Sequence, residues 1–145
     1  MKESKGFIKN IRGSNIDINT NLDLGKLPPQ ALDLEESVLG ALMLEKDALT
    51  NVIDILKPEN FYKDANKEIY QSIIDLFNDS EPIDLLTVTS QLKKNGKLEY
   101  VGGSFYVTQL TTRVNSASNI EYHARIILEQ SIKRQLIEVL SLIHI

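Results

Sequence analysis

Apolar residues in the last part of this chain recur every four positions, at Ile120, Ala124, Leu128, Ile132, Leu136 and Leu140, with Ile127 and Val139 widening the stripe. Beside them Glu121, Arg125, Glu129 and Lys133 alternate in sign at i,i+4 spacing, so one face suits burial and the other suits water. Ser118 and Glu121 have the spacing of a capping box, and the pattern predicts one long helix over 118–141. Upstream, Leu34, Val38, Leu39, Leu42 and Met43 share a face. Asp33 and Glu36 are expected there as cap and first-turn acids, and the small Gly40 and Ala41 would let another backbone approach closely. A second, short helix is expected from Asp47 to Leu56, followed by an aromatic connector, Glu59 to Tyr62, that plugs the core. The third helix runs from about Asp64 to Asn78 with Ile69, Tyr70, Ile73, Ile74 and Phe77 inward, and Asp79 to Pro82 is a turn. Asp84 caps a fourth helix through Val88 and Leu92 that stops at Lys93-Lys94-Asn95-Gly96. Leu98 to Val101 reads as a short extended link. A fifth helix then starts at Gly102-Gly103 and carries Phe105, Tyr106, Val107, Leu110 and Thr111.

All four prolines fall between the expected helices. The agreement of caps, stops and periods predicts an all-α, compact bundle of about six helices with a long C-terminal helix. Its core should include Leu39, Leu42, Ile73, Phe77, Leu92 and Leu110. Residues 1–27 are rich in Asn, Lys, Gly and Ser and lack a sustained period. They read as a flexible N-terminal tail ahead of a helical domain over 28–145; a strand through Ile16 to Leu24 is the weaker reading, because Asn and Asp are poor strand formers.

Composition narrows the class of molecule. A chain of 145 residues fits one domain and can bury a core without staples. It has no cysteine, no apolar run approaching the roughly 18 residues of a membrane span, and no apolar stretch of a signal peptide near Met1. These features predict a cytoplasmic protein with no membrane association. The net charge is −4, but residues 1–27 hold five basic and three acidic groups, so the part expected to fold is the acidic part. Proteins that grip phosphate backbones usually present a basic face, so strong autonomous nucleic-acid binding is not expected.

The familiar catalytic motifs each lack a required residue. No Gly-x-x-x-x-Gly-Lys-Ser/Thr exists to cradle a triphosphate, since Gly25-Lys26 and Gly96-Lys97 lack the upstream glycine and the following hydroxyl. The pair Gly102-Gly103 reads as a tight turn before it reads as a phosphate site. His123 and His144 are far apart and have no second ligand at a helical metal spacing. First-turn placement accounts for Glu35-Glu36, Asp17 and Asp23 are not framed by apolar pockets, and Lys93, Lys94 and Lys97 suit a helix C-terminus. No catalytic, cofactor or metal site is expected.

Six segments in register carry a resemblance. These are Pro28-Pro29-Gln30, Glu36 to Leu44, Leu56 to Tyr62, Pro82 to Leu85, Gly96 to Gly103 and Ser116 to Ala124. In order and spacing they resemble the N-terminal domain of the bacterial replicative DNA helicase family, DnaB, from Pro28 to about Ile137. Two positions depart from the family pattern: Asn66 stands where a His is common, and Ser118 replaces an Ala before Asn119; both are expected to touch local capping. The resemblance implies a helical collar domain that precedes an ATPase motor in a ring-shaped hexamer, pairs through a C-terminal helical hairpin and docks primase and the helicase loader. It implies no catalysis by this chain, with ATP and magnesium needed only by the motor domain, and a chain truncated in the first arm of the hairpin, since Ser141 to Ile145 does not look like the family's continuation. The expected partner interface is Ile120, Ala124, Ile127, Leu128, Ile132, Leu136 and Leu140, with Ile132, Leu136 and Leu140 against a partner helix and Ile120, Ala124 and Leu128 nearer the chain's own core. Two other readings stay open: a small DNA-binding module, disfavoured by the acidic core, and a free-standing adaptor.

Overall fold

Proline has no backbone N–H to leave orphaned and its fixed φ suits a first helical turn, and α1 starts on one. In the computed structural model, which describes residues 29–114 and 119–143, α1 spans Pro29–Leu44. It begins a full turn before Asp33, so Glu35 and Glu36 are interior residues of the helix and not its first-turn acids. The expected second helix is also corrected. Asp47 takes a left-handed φ of 65°, a 3₁₀ turn follows over Ala48–Asn51, and the chain continues in turns towards Leu56. Such a short segment gains little from helical hydrogen bonds after nucleation, and the Thr50 hydroxyl donates back to the Asp47 carbonyl. Its apolar period still serves the core: Ala48, Leu49, Val52 and Leu56 are buried.

A 3₁₀ turn over Pro58–Asn60 leads to Phe61, which is buried against Tyr70 with ring centroids 5.0 Å apart. Helix α2 spans Asp64–Asn78. It ends in a Schellman motif, with Glu81 N–H donating to the Leu76 carbonyl and Ser80 N–H to that of Phe77. Helix α3, Leu85–Lys94, is capped by Asp84: Thr87 N–H donates to Asp84 Oδ1 at 2.8 Å, and Asp84 N–H donates to Thr87 Oγ1 at 2.9 Å. Its end is a second Schellman motif, Lys97 N–H to Leu92 O and Gly96 N–H to Lys93 O, with Gly96 at φ 71°. The expected extended link is instead a single helical turn, α4, over Leu98–Val101. Leu98 is half-buried and Val101 buried, and their i,i+3 spacing is that of a helix face. Helix α5 spans Gly103–Thr112 and α6 spans Ile120–Ile143. Six α-helices and no strand occur among the described residues.

Residues Pro28–Ile132 form one compact unit, and Lys133–Ile143 fall outside it. The unit's core holds Leu39, Leu42, Ile73, Leu92 and Leu110, all essentially sealed from solvent. Phe77 does not join them: it is 40% exposed. Helix α1 meets α5 closely at Gly40, where an added Cβ would lie 2.1 Å from the Leu110 carbonyl oxygen and 2.6 Å from Val114 Cγ2. The readings of residues 1–27, of Ser118 as a cap and of His144 lie outside the described residues.

Candidate interaction surface

One cluster of titratable groups joins three helices. Glu35 on α1 is 1% exposed. Its Oε2 accepts from Tyr62 N–H at 2.7 Å, and its Oε1 accepts from Asn66 Nδ2 at 3.0 Å. Asn66 Oδ1 in turn accepts from the Tyr106 hydroxyl at 2.7 Å, which carries the chain of bonds to α5. Burial pushes the Tyr106 phenol well above its ordinary range, and the Glu36 and Glu35 carboxylates push it further the same way. Lys63 Nζ sits 4.2 Å from the centre of the Tyr106 ring, and Arg113 pairs with Glu36 at 3.2 Å. Buried carboxylates with shifted neighbours are features of active sites, but here each bond ties one element to another. Glu35 receives donors from the entry to α2, and that suffices to explain it. Asn66 is therefore the bridge of this network and not a local cap. Its burial, and that of Glu35, depend on α1, α2 and α5 meeting, which no local spacing announces.

Other candidate chemistry stays dispersed. Among the described residues no group of three or more His, Asp or Glu side chains could hold a metal ion. His123 lines an open cavity of about 340 Å³ with Asp33, Leu34, Ser37 and Arg113. Lys93 and Lys94 close α3, and Gly102 and Gly103 adopt φ of 112° and 76° to turn the chain from α4 into α5.

The residues expected at a partner interface divide by depth. Ile120, Ala124 and Ile127 are buried and Leu128 is half-buried against the same core. Ser131, a turn further on, is buried and accepts a 3.2 Å bond from Asn60 Nδ2, tying α6 to the connector before α2. At Ile132 the apolar positions become exposed. Beyond it Leu136 is 57% exposed, and Val139, Leu140, Leu142 and Ile143 are comparably open. On the polar side Arg125 Nη2 reaches Glu121 at 2.9 Å. Chemically, such a run of aliphatic side chains offers area for hydrophobic burial and little else.

Comparison with known proteins agrees with this architecture. Residues 27–129 match the family model described as DnaB-like helicase N terminal domain. The chain is 47% identical over 119 residues to the replicative DNA helicase DnaB of Rhodothermus marinus, a match covering 82% of this chain and 12% of that protein. Among solved structures, the N-terminal domain of DnaB helicase from Mycobacterium tuberculosis superposes with a TM-score of 0.73 at 40% identity, covering 77% of this chain and 81% of that one. A DnaB-like replicative helicase whose structure was described together with its interactions with primase superposes with a TM-score of 0.67 at 26% identity, covering 77% of this chain and 26% of the other. The chain thus spans 12% and 26% of these two helicases.

Proposed function

This chain belongs to the family of DnaB-like helicase N-terminal domains, and from that membership we propose that it acts in DNA replication as a non-catalytic collar of a replicative helicase. In this reading it helps assemble the helicase ring and offers a docking surface for primase and the helicase loader, while ATP and magnesium serve a motor domain. Its place of work is the cytoplasm, where bacterial chromosomes are copied. No helix among the described residues is long and apolar enough to cross a membrane.

The observation that carries the proposal is the change along α6 from buried Ile120, Ala124 and Ile127 to exposed Ile132, Leu136 and Leu140. The first group is held by the chain's own core. The second gains stability only when another apolar surface covers it, at roughly 25 cal/mol for each Å² removed from water. A helix from a second copy is the natural cover, because like stripes at matched spacing interdigitate. Primase docking is supported by the likeness to a helicase described in its interactions with primase.

Leu136→Asp tests the assembly. The side chain is exposed, so the substitution should leave the helical body intact by circular dichroism, while sedimentation velocity should shift from an associated species to the monomer. A wild-type chain that sediments as a monomer at every concentration, or a variant that associates as tightly as wild type, overturns the assembly role.

A further inference from the structure

A second apolar surface lies within the unit Pro28–Ile132 and involves no residue of α6. Between the end of α1 and the end of α2 a groove encloses about 330 Å³. Leu42 and Leu49, both core residues, form its floor, and the exposed faces of Phe77 and Leu44 stand at its mouth with Ile83. Phe77 belongs by periodicity to the inner face of α2, yet the chain leaves it open to solvent here. The rim has one dominant sign: Glu45, Asp47, Glu81 and Asp84 face only Lys46. Glu45, Asp47 and Glu81 take part in no ion pair among the described residues. Asp84 spends hydrogen bonds on capping α3 but keeps its charge.

We propose that this groove is a docking site for a segment of another protein in which a bulky apolar side chain is flanked by lysines or arginines. Size and charge select that occupant. The volume is at the bottom of the roughly 300–1,000 Å³ typical of small-molecule pockets, and it suits a large side chain better than a cofactor. Four carboxylates repel phosphates, which disfavours nucleotides, nucleic acid and anionic membrane surfaces alike. The same carboxylates attract cationic side chains and steer their approach, while the aromatic and aliphatic mouth supplies the apolar contact that anchors an interface. Both walls are held by backbone bonds, Glu81 N–H to Leu76 O at 2.9 Å and Ala48 N–H to Glu45 O at 3.3 Å, so the site is formed before its ligand arrives. The inference is independent of ring assembly through α6, and the Leu136→Asp chain should bind the same ligand.

The test uses the full chain and two synthetic peptides, one with phenylalanine and leucine set among lysines, the other identical with glutamate for lysine. Amide resonances of Leu44, Phe77 and Ile83 should shift on adding the basic peptide, and binding should weaken as salt is raised. The exposed double substitution Glu45→Lys with Glu81→Lys should weaken binding by about tenfold or more, since it replaces attraction with repulsion at the rim. An unchanged thermal midpoint of that variant ensures that lost binding is not lost folding; if it unfolds, Glu45→Gln with Glu81→Gln serves instead and should weaken binding by a smaller factor in the same direction. Three results overturn the proposal: equal binding of the acidic peptide, basic-peptide shifts confined to α6, or groove shifts that track protein concentration alone, which would make the occupant a second copy of this chain.

Discussion

At Gly40 the close approach of α1 to α5 leaves no room for a side chain, and the obstacle is backbone: the Leu110 carbonyl oxygen lies 2.1 Å from the position a Cβ would take. Alanine is the better helix former by about 1 kcal/mol, but here it must push a helix aside, and overpacking costs about 1–3 kcal/mol. Gly40→Ala should therefore lower the thermal midpoint, the opposite of what propensity alone predicts, as scanning calorimetry would show. The need for a small residue was legible in the sequence because Gly40 interrupts an otherwise good helix. Glu35 was not legible, since nothing local separates it from Glu36, yet Glu35 is sealed inside while Glu36 is half-buried and reaches Arg113 at 3.2 Å. Glu35→Gln keeps the shape but brings an NH₂ donor into a site whose partners, Tyr62 N–H and Asn66 Nδ2, also donate. A buried donor without an acceptor costs about 1–3 kcal/mol, and chemical denaturation should show that loss at neutral pH. A denaturation curve identical to wild type would mean that the carboxylate is not the hub of the network.

Element boundaries were most legible where a cap or a stop acts over three or four residues. The cap at Asp84 and the stop at Lys93-Lys94-Asn95-Gly96 fall where the sequence places them because the hydrogen bonds that start and end α3 are local, and the structure adds Thr87 as the reciprocal partner of the cap. Helix α2 likewise keeps the bounds Asp64–Asn78 expected for it. Its stop, however, uses a serine where glycine is the ordinary choice: Ser80 sits at φ 57° in the left-handed position of the Schellman motif. A non-glycine residue there costs roughly 1–2 kcal/mol, partly offset for glycine by the freedom it has in the unfolded chain. Ser80→Gly should thus stabilise the fold by up to about 1 kcal/mol and raise the thermal midpoint; a fall in the midpoint would show that the serine hydroxyl has a role that outweighs the strain. Two elements differ from the pattern of their sequence for one reason. The segment Asp47 to Leu56 and the link Leu98 to Val101 are too short for periodicity to separate an α-helix from 3₁₀ turns or from an extended strand, and the surrounding core chooses among them.

For the whole molecule, one functional expectation rests on the sequence alone. No segment has the glycines, lysine and hydroxyl that cradle a triphosphate and its magnesium ion, so calorimetric titration of the chain with ATP and magnesium should be flat, and a magnesium-dependent heat at micromolar affinity would contradict it. The all-α class, the repeat of caps and stops, and the register of six motif segments are likewise properties of the linear chain, because each depends on spacings of a few residues that survive without any tertiary contact. Burial is different. Phe77 lies on the same apolar face as Ile73, yet Ile73 is sealed and Phe77 stands at the mouth of a groove. The stripe on α6 is continuous in sequence but passes from buried at Ile127 to exposed at Leu136. Periodicity says which side of a helix is apolar; whether a given turn of that side is covered depends on where neighbouring elements end, and that is decided only when α1, α2 and α5 pack.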